Sequence, residues 1–444
     1  MKQVDIITEK TLTDVEKIQK AIATNPESEV ELKGFVHKIR TMSEFAFVII
    51  RTDREIVQCV LDKTNSFNIN DLQEGDTVKI VGTTRLDSRS PLGFEITIKE
   101  LEVLTSPHDQ MPLKINKRNF DATLNVKLDM RPISLRNPKD RAVFKIQEGI
   151  VRGFREFLYT QNFTEIRSPK IVSEGAEGGA NMFELDYFGR PAYLAQSPQF
   201  YKQMMVGVFG RVFEIGGVYR AEKHDTSRHI NEFTGLDFEM GFIDSFEDIM
   251  QMEASMLRYV FDLLNRDYKK ELDMFGVTLP EFTTIPTITF KEGKEITQKL
   301  SKKKIVDFGD FDADEEKIIG DYIKETTGSD LVFVTHYPSK KRPFYAMDDP
   351  TDPTVTLSFD LLLNGAEITT GGQRIHDYDM QVEKMLSRKM DPARFGDYLM
   401  IHKYGMPKHG GLGIGLERLT YKLLKLSNIR EATLFPRDIN RIAP

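Results

Sequence analysis

FEIGGVYRAEKHDTSRHINEF, residues 213–233, decides how this chain is read. An apolar run ends at Tyr219 and is followed by Arg220 and Glu222. A short polar stretch follows, and the chain returns through His229 and Glu232 to Phe233. This pattern predicts strand, loop and strand, with an arginine on one arm and an aromatic ring on the other. A planar, permanently charged guanidinium suits phosphate oxygens, and a flat ring suits a stacked base. Toward the C-terminus, GGLGIGLERL, residues 410–419, sets Arg418 in a glycine-rich run. Small residues let backbone pass close to a nucleotide before a helix presents the arginine. The run is not a GxxxxGK[ST] loop, so P-loop chemistry is not indicated. Between the two stretches, SFDLLLNGAEITTGGQR, residues 358–374, carries Asp360 and Glu367 across a hairpin-like bend. Carboxylates of this kind suit Mg2+, which takes oxygen ligands and shares them with phosphates.

Composition bounds the class. The chain has 444 residues, 40% apolar and 29% charged, enough for two or three domains. No stretch is long and apolar enough for a transmembrane helix, and MKQVDIITEK lacks the apolar core of a signal peptide. A single cysteine, Cys59, excludes an internal disulfide and a cysteine-built metal site. The expected home is the cytoplasm, with no membrane partner. A formal charge of -7 argues against binding nucleic acid by bulk electrostatics, and leaves room for local basic patches.

The texture along the chain predicts an α+β protein. Residues 1–29 form an N-terminal extension with one helical pattern, Leu12–Ile22. Residues 30–105 hold five short β-rich runs, punctuated by turns such as Glu74-Gly75-Asp76 and Ser90-Pro91-Leu92-Gly93. Five strands in so short a span predict a small closed barrel, of which the OB-fold is the commonest that binds nucleic acid. Residues 106–138, proline-bearing and patternless, read as a linker. Residues 139–444 form the second domain. It opens with a helix, since Val143, Ile146, Ile150, Phe154 and Leu158 recur at helical spacing, and continues with a strand ending near Pro169.

Taken in order, the helix and strand before Pro169, the stretch around Arg220 and the run around Arg418 resemble motifs 1, 2 and 3 of the class II aminoacyl-tRNA synthetases. LAQSPQFYKQ (194–203), TTGGQRIH (369–376) and NIREATLFPRD (428–438) are similar to its aspartate-specific branch of archaeal and eukaryotic-like type. The resemblance implies an OB-fold anticodon-binding barrel and a catalytic domain built on an antiparallel sheet flanked by helices. It implies a homodimer, ATP and Mg2+ as cofactors, and L-aspartate and tRNA as substrates.

The same resemblance implies roles residue by residue. Arg220 meets the α-phosphate and Arg418 the γ-phosphate, Phe233 lies under the adenine, and Glu222, His229 and Glu232 surround the ATP and the acceptor end. Asp360 and Glu367 hold magnesium. Lys202 and Arg374 clamp the aspartate side chain, with Gln199, Thr370 and Glu177 around the amino acid. Glu177 comes from SEGAEGGANMF, a loop expected to close over substrate. On the barrel, Phe47 stacks on the central anticodon base, and Gln58 and Glu95 hydrogen-bond anticodon bases. Members confined to tRNA(Asp) carry tryptophan and lysine near the last anticodon base, where this chain has His37 and Pro91. That difference implies charging of both tRNA(Asp) and tRNA(Asn), the latter product passing to an amidotransferase. The alternatives are an enzyme confined to tRNA(Asp), an asparaginyl-tRNA synthetase, against which Lys202 argues, an asparagine-making paralogue, which would lack the barrel, and a non-catalytic paralogue, which would lack Arg220, Arg418 or Glu367.

Overall fold

The computed structural model describes residues 13–117, 119–173, 182–223, 225–301, 305 and 307–443. The chain divides into two compact units, residues 1–123 and 124–444.

In the first unit five strands close a barrel: β1 (Glu29–Thr41), β2 (Phe45–Arg51), β3 (Ile56–Asp62), β4 (Thr77–Leu86) and β5 (Phe94–Thr105), in the order β1-β2-β3-β5-β4. Alternation makes the core: Val57, Cys59 and Leu61 point inward from β3, and Phe94, Ile96 and Ile98 from β5. The parallel pairing of β3 with β5 completes the closure. A bulge at Val81/Gly82 bends β4, and a Cβ on Gly82 would sit 2.3 Å from the Thr97 carbonyl, so only glycine fits there. The helix Asp14–Thr24 starts with a Thr13/Glu16 capping box and sinks Val15 and Ile18 into the barrel core.

The second unit is built on an eight-stranded sheet in the order β12-β13-β14-β15-β16-β11-β10-β6. Its strands are β6 (Thr164–Glu165), β10 (Arg211–Tyr219), β11 (Glu232–Gly241), β12 (Thr287–Thr289), β13 (Leu331–Thr335), β14 (Ser358–Leu363), β15 (Glu367–Gln373) and β16 (His409–Gly415). A small separate sheet holds β7 (Ile171–Val172), β8 (Glu184–Tyr187) and β9 (Arg190–Leu194). The large sheet is mixed rather than purely antiparallel. Its centre is antiparallel, while the edge strands β12 and β6 pair in parallel with β13 and β10.

The helices Pro138–Thr160 and Glu247–Asp267 bury their apolar faces with residues of this sheet in one core. Val143, Ile146, Ile150, Phe154 and Leu158, the residues of the helical periodicity, are all buried there. The strand expected before Pro169 is only two residues long. The stretch read as patternless linker contains two short helices, Leu124–Asp129 and Arg131–Ser134, and Arg131 is buried there, bonded to the carbonyls of Glu431, Thr433 and Leu434.

Candidate active site

The opening stretch folds as its pattern predicts. β10 and β11 are antiparallel neighbours with Val218 opposite Phe233, and the Arg220 N–H donates to the Asn231 carbonyl at 2.8 Å. The Arg220 guanidinium lies 5.4 Å from the centre of the Phe233 ring. Asn231 braces the intervening loop by donating its amide to the carbonyls of Arg220 and Glu222. His229 Nδ1 is 2.6 Å from the Thr226 hydroxyl.

β14 and β15 form the expected hairpin. Its turn residues, Asn364 and Gly365, both have positive φ, and the amides and carbonyls of Leu363 and Ala366 bond reciprocally. This Asn-Gly turn matches the right-handed twist of paired strands. The hairpin carries Asp360 on one arm and Glu367 on the other. β16 runs beside it and ends at the helix Leu416–Leu423, which carries Arg418. Arg418 donates to the Glu367 carbonyl at 3.1 Å and lies 3.6 Å from its carboxylate. A Cβ on Gly411 of β16 would sit 2.3 Å from Glu239 Oε2, which is why the strand needs glycine at this approach.

These elements line one cleft. Gln199, Lys202, Arg220, Glu222, His229, Phe233, Glu367, Thr370, Arg374 and Arg418 all face it. Glu177 lies outside the described residues. Glu232 is exposed and does not line the cleft, and neither does Asp360. Asp360 is buried and lies 2.8 Å from Arg342, which does line the cleft and stacks over Tyr337. Burial pushes the Asp360 carboxyl up to about 7; Arg342 opposes the shift and Glu367 adds to it. Burial also works against the Glu367 carboxylate, but Arg418 and the Thr370 hydroxyl, which donates at 2.9 Å, hold it below the usual range. Each carboxylate is therefore balanced by its own guanidinium. Among the described residues no group of three or more acidic, histidine or cysteine side chains gathers as a metal cage.

Lys202 and Arg374, expected to clamp the aspartate side chain, each have a carboxylate partner within the protein. Lys202 is 1% exposed, lies 3.0 Å from Asp237 Oδ1 and 3.4 Å from Glu239 Oε2, and donates to the Leu412 carbonyl. Arg374 donates to both Glu239 oxygens and to the Gly411 carbonyl. Burial raises the Asp237 carboxyl despite Lys202, whereas Arg374 and Lys202 together overcome burial and hold Glu239 below its ordinary value. Among the described residues the buried Gln196 Oε1 and Gln199 Nε2 have no hydrogen-bond partner, and both residues line the cleft. Such atoms call for a polar ligand.

The sequence reading missed Asp237, Glu239, Arg342, Arg228 and Glu417. Gly235, Asp237 and Glu239 alternate with the buried Leu236, Phe238 and Met240 along β11, and that alternation of acid with apolar core was a visible signal. Arg342 sits in an irregular segment with no periodicity to mark it. Glu417 accepts the Thr234 N–H, and burial lifts its carboxyl to about 7.

On the barrel, the outward face of β2 and β3 presents Phe47, packed edge-on to Phe45 at 5.0 Å, and Gln58. Glu95 is 1% exposed; it accepts the Gln58 amide at 3.0 Å and is ion-paired with Arg85. Glu95 thus holds the Gln58 amide in place. His37 is buried beside the Val36/Lys38 bulge, and Pro91 is exposed in the β4–β5 loop.

Comparisons with known proteins agree with this architecture. Residues 30–104 match the family described as OB-fold nucleic acid binding domain, and residues 123–439 match tRNA synthetases class II (D, K and N). The chain belongs to the class II tRNA synthetases of this D, K and N group. An aspartate–tRNA(Asp/Asn) ligase of Deinococcus radiodurans is 44% identical over 94% of this chain and 95% of its own length. An aspartate–tRNA(Asp) ligase of Pyrococcus abyssi is 39% identical over 94% of this chain and 96% of its own. These near full-length matches place the chain in the aspartate–tRNA ligase branch. Among solved structures, the asparaginyl-tRNA synthetase of Pyrococcus horikoshii bound to asparaginyl-adenylate superimposes with a TM-score of 0.88, 32% identity, and coverage of 96% of this chain and 98% of that one.

Proposed function

We propose that this chain joins L-aspartate to both tRNA(Asp) and tRNA(Asn) by way of aspartyl-adenylate. The observation that carries the reading is the meeting of Arg220, Arg418, Lys202, Arg374 and Glu367, drawn from distant parts of the sequence, in one cleft.

Arg220 neutralises the α-phosphate while Phe233 holds the adenine, and Arg418 binds the γ-phosphate with His229 and Glu222 nearby. The aspartate α-carboxylate attacks the α-phosphorus and pyrophosphate leaves. Fixed cations aimed at developing charge, and reactants held in line, supply the catalysis, and no protein nucleophile is needed. The tRNA 3′-hydroxyl then attacks the adenylate. Lys202 and Arg374 receive the substrate side chain, Thr370, Gln199 and Gln196 its polar atoms. Asp360, buried, and Glu367, partly exposed to the cleft, would hold a magnesium ion: both are carboxylates of one hairpin, now balanced by Arg342 and Arg418. A magnesium ion there would supply charge for the triphosphate.

For tRNA selection, Phe47 stacks on an anticodon base and Gln58, held by Glu95, bonds another. His37 and Pro91 leave the last anticodon position without a tryptophan or a lysine, which supports relaxed choice between the two tRNAs. The active form is a homodimer, and Asp-tRNA(Asn) passes to an amidotransferase. The test is charging of tRNA(Asp) and tRNA(Asn) transcripts with labelled aspartate, asparagine run in parallel. Aspartate on both supports the reading. Aspartate on tRNA(Asp) alone removes the relaxed specificity, and asparagine on tRNA(Asn) overturns the substrate.

A further inference from the structure

Glu316 lies outside every motif that suggested the function, yet it touches two of them. It sits in the first turns of the helix Ala313–Thr327, in the connection between the neighbouring strands β12 and β13. That helix is seated on the β14–β15 turn with almost no clearance. A Cβ on Gly320 would lie 2.5 Å from the Gly365 Cα, and one on Gly365 would lie 2.8 Å from the Lys317 Cα. Its start is fixed independently. The Asp312/Glu315 capping box closes the first turn, and the buried Lys294 ammonium binds both Glu315 oxygens and the carbonyls of Asp307 and Asp310.

From this seat one oxygen of Glu316, Oε2, makes two contacts. It accepts the Glu367 backbone N–H at 3.3 Å and the Arg228 guanidinium at 2.5 Å. Glu367 opens β15 in the hairpin. Arg228 precedes His229 in the loop between β10 and β11, and it lines the cleft. Both side chains of the Arg228–Glu316 pair are largely withdrawn from solvent, at 27% and 12% exposure. Arg228 and Arg418 both act on the Lys422 ammonium, so Glu316 places an anion within a group of cations at the edge of the cleft.

The geometry points to Glu316 as a positioning residue for nucleotide binding, an anionic bridge that sets the Arg228–His229 loop against the strand of Glu367 before ATP arrives. Arg228 is its partner in the loop. The amino-acid end of the cleft, around Lys202 and Arg374, has no contact with this bridge. The inference rests on the aspartate-activating reading and adds to it a residue that acts on one substrate alone.

The test is aspartate-dependent ATP–pyrophosphate exchange by the full chain, comparing Glu316→Gln, Arg228→Ala, Arg228→Lys and the double variant Glu316→Gln/Arg228→Ala. The expected result for Glu316→Gln and Arg228→Ala is a KM for ATP raised about tenfold, with the KM for aspartate within about twofold. Arg228→Lys recovers part of the loss, and the double variant is no worse than the poorer single one. Thermal melts without ATP stay near wild type, while the stabilisation by ATP is reduced in Glu316→Gln. Equal rises in both KM values, additive losses, or a fall in melting temperature without change in the KM for ATP would overturn the bridge. A wild-type chain without exchange would refute the activation reading instead.

Discussion

Lys202 and Asp237 are a buried ion pair, 3.0 Å between Nζ and Oδ1, and Asp237 lies one alternation along β11 from Glu239, the partner of Arg374. This end of the cleft is thus charge-balanced by the protein's own carboxylates.

Removing one cation from that network should be costly in a specific way. Lys202→Met leaves buried acid without its counter-ion, and breaking such a pair costs roughly 3–5 kcal/mol. The expected outcome is a KM for aspartate raised by about a hundredfold or more, with the KM for ATP little changed. Steady-state exchange kinetics, alongside a melt to confirm folding, decide it.

In the proposed mechanism Arg220 bears on the chemical step. Arg220→Ala should reduce the rate of aspartate-dependent pyrophosphate exchange by about two to three orders of magnitude, the scale for loss of one preorganised transition-state donor. Exchange near the wild-type rate would remove Arg220 from the mechanism.

The barrel can be probed without touching activation. Phe47→Ala should lower charging of both tRNAs by about 1–3 kcal/mol, the scale of one base–aromatic stack, while exchange without tRNA stays intact. Pro91 is exposed, so Pro91→Lys is tolerated by the fold. It should lower charging of tRNA(Asn) relative to tRNA(Asp) by roughly tenfold, within the scale of one base contact. Transcript pairs differing only in the last anticodon base give the comparison.

Glu253 predicts a pH signature. It is fully buried, accepts the Thr369 hydroxyl at 2.6 Å, and among the described residues has no partner for its other oxygen. Burial lifts its carboxyl from 4.5 to about 8, with Thr369 opposing and Asp360 adding. Because the folded value is the raised one, its contribution to stability is complete below 4.5 and is lost as pH rises through about 8. Glu253→Gln keeps the acceptor and removes the titration. The variant should melt higher than wild type near pH 9, with a ceiling of roughly 5 kcal/mol, and the difference should vanish toward pH 4. A gap independent of pH would contradict this.

What was legible in the sequence follows from what each element must do locally. The five barrel strands alternate because one face is packed, and the long helix repeats Val143 to Leu158 because one stripe is packed, so both could be read. Asn364-Gly365 announced its hairpin through turn chemistry. The helices in residues 124–134 were hidden because they are short and are held by long-range bonds from Arg131 rather than by periodicity. Arg342 and Glu316 were invisible for a related reason: their partners, Asp360 and Arg228, become neighbours only after the sheet assembles. The burial of His37 and Glu95 depends on a bulge and a cross-strand ion pair, which an alternating pattern does not reveal.

The two outer strands of the catalytic sheet, β6 and β12, are stubs of two and three residues. A wide sheet ordinarily offers its rim as a template on which further chains can add, and rims this short give an incoming strand almost nothing to register against. The outermost strands themselves thus offer little template, although β6 covers the neighbouring β10 only at Val212 and Phe213. Any aggregation should start from opened molecules, and its onset on heating should track the loss of the fold.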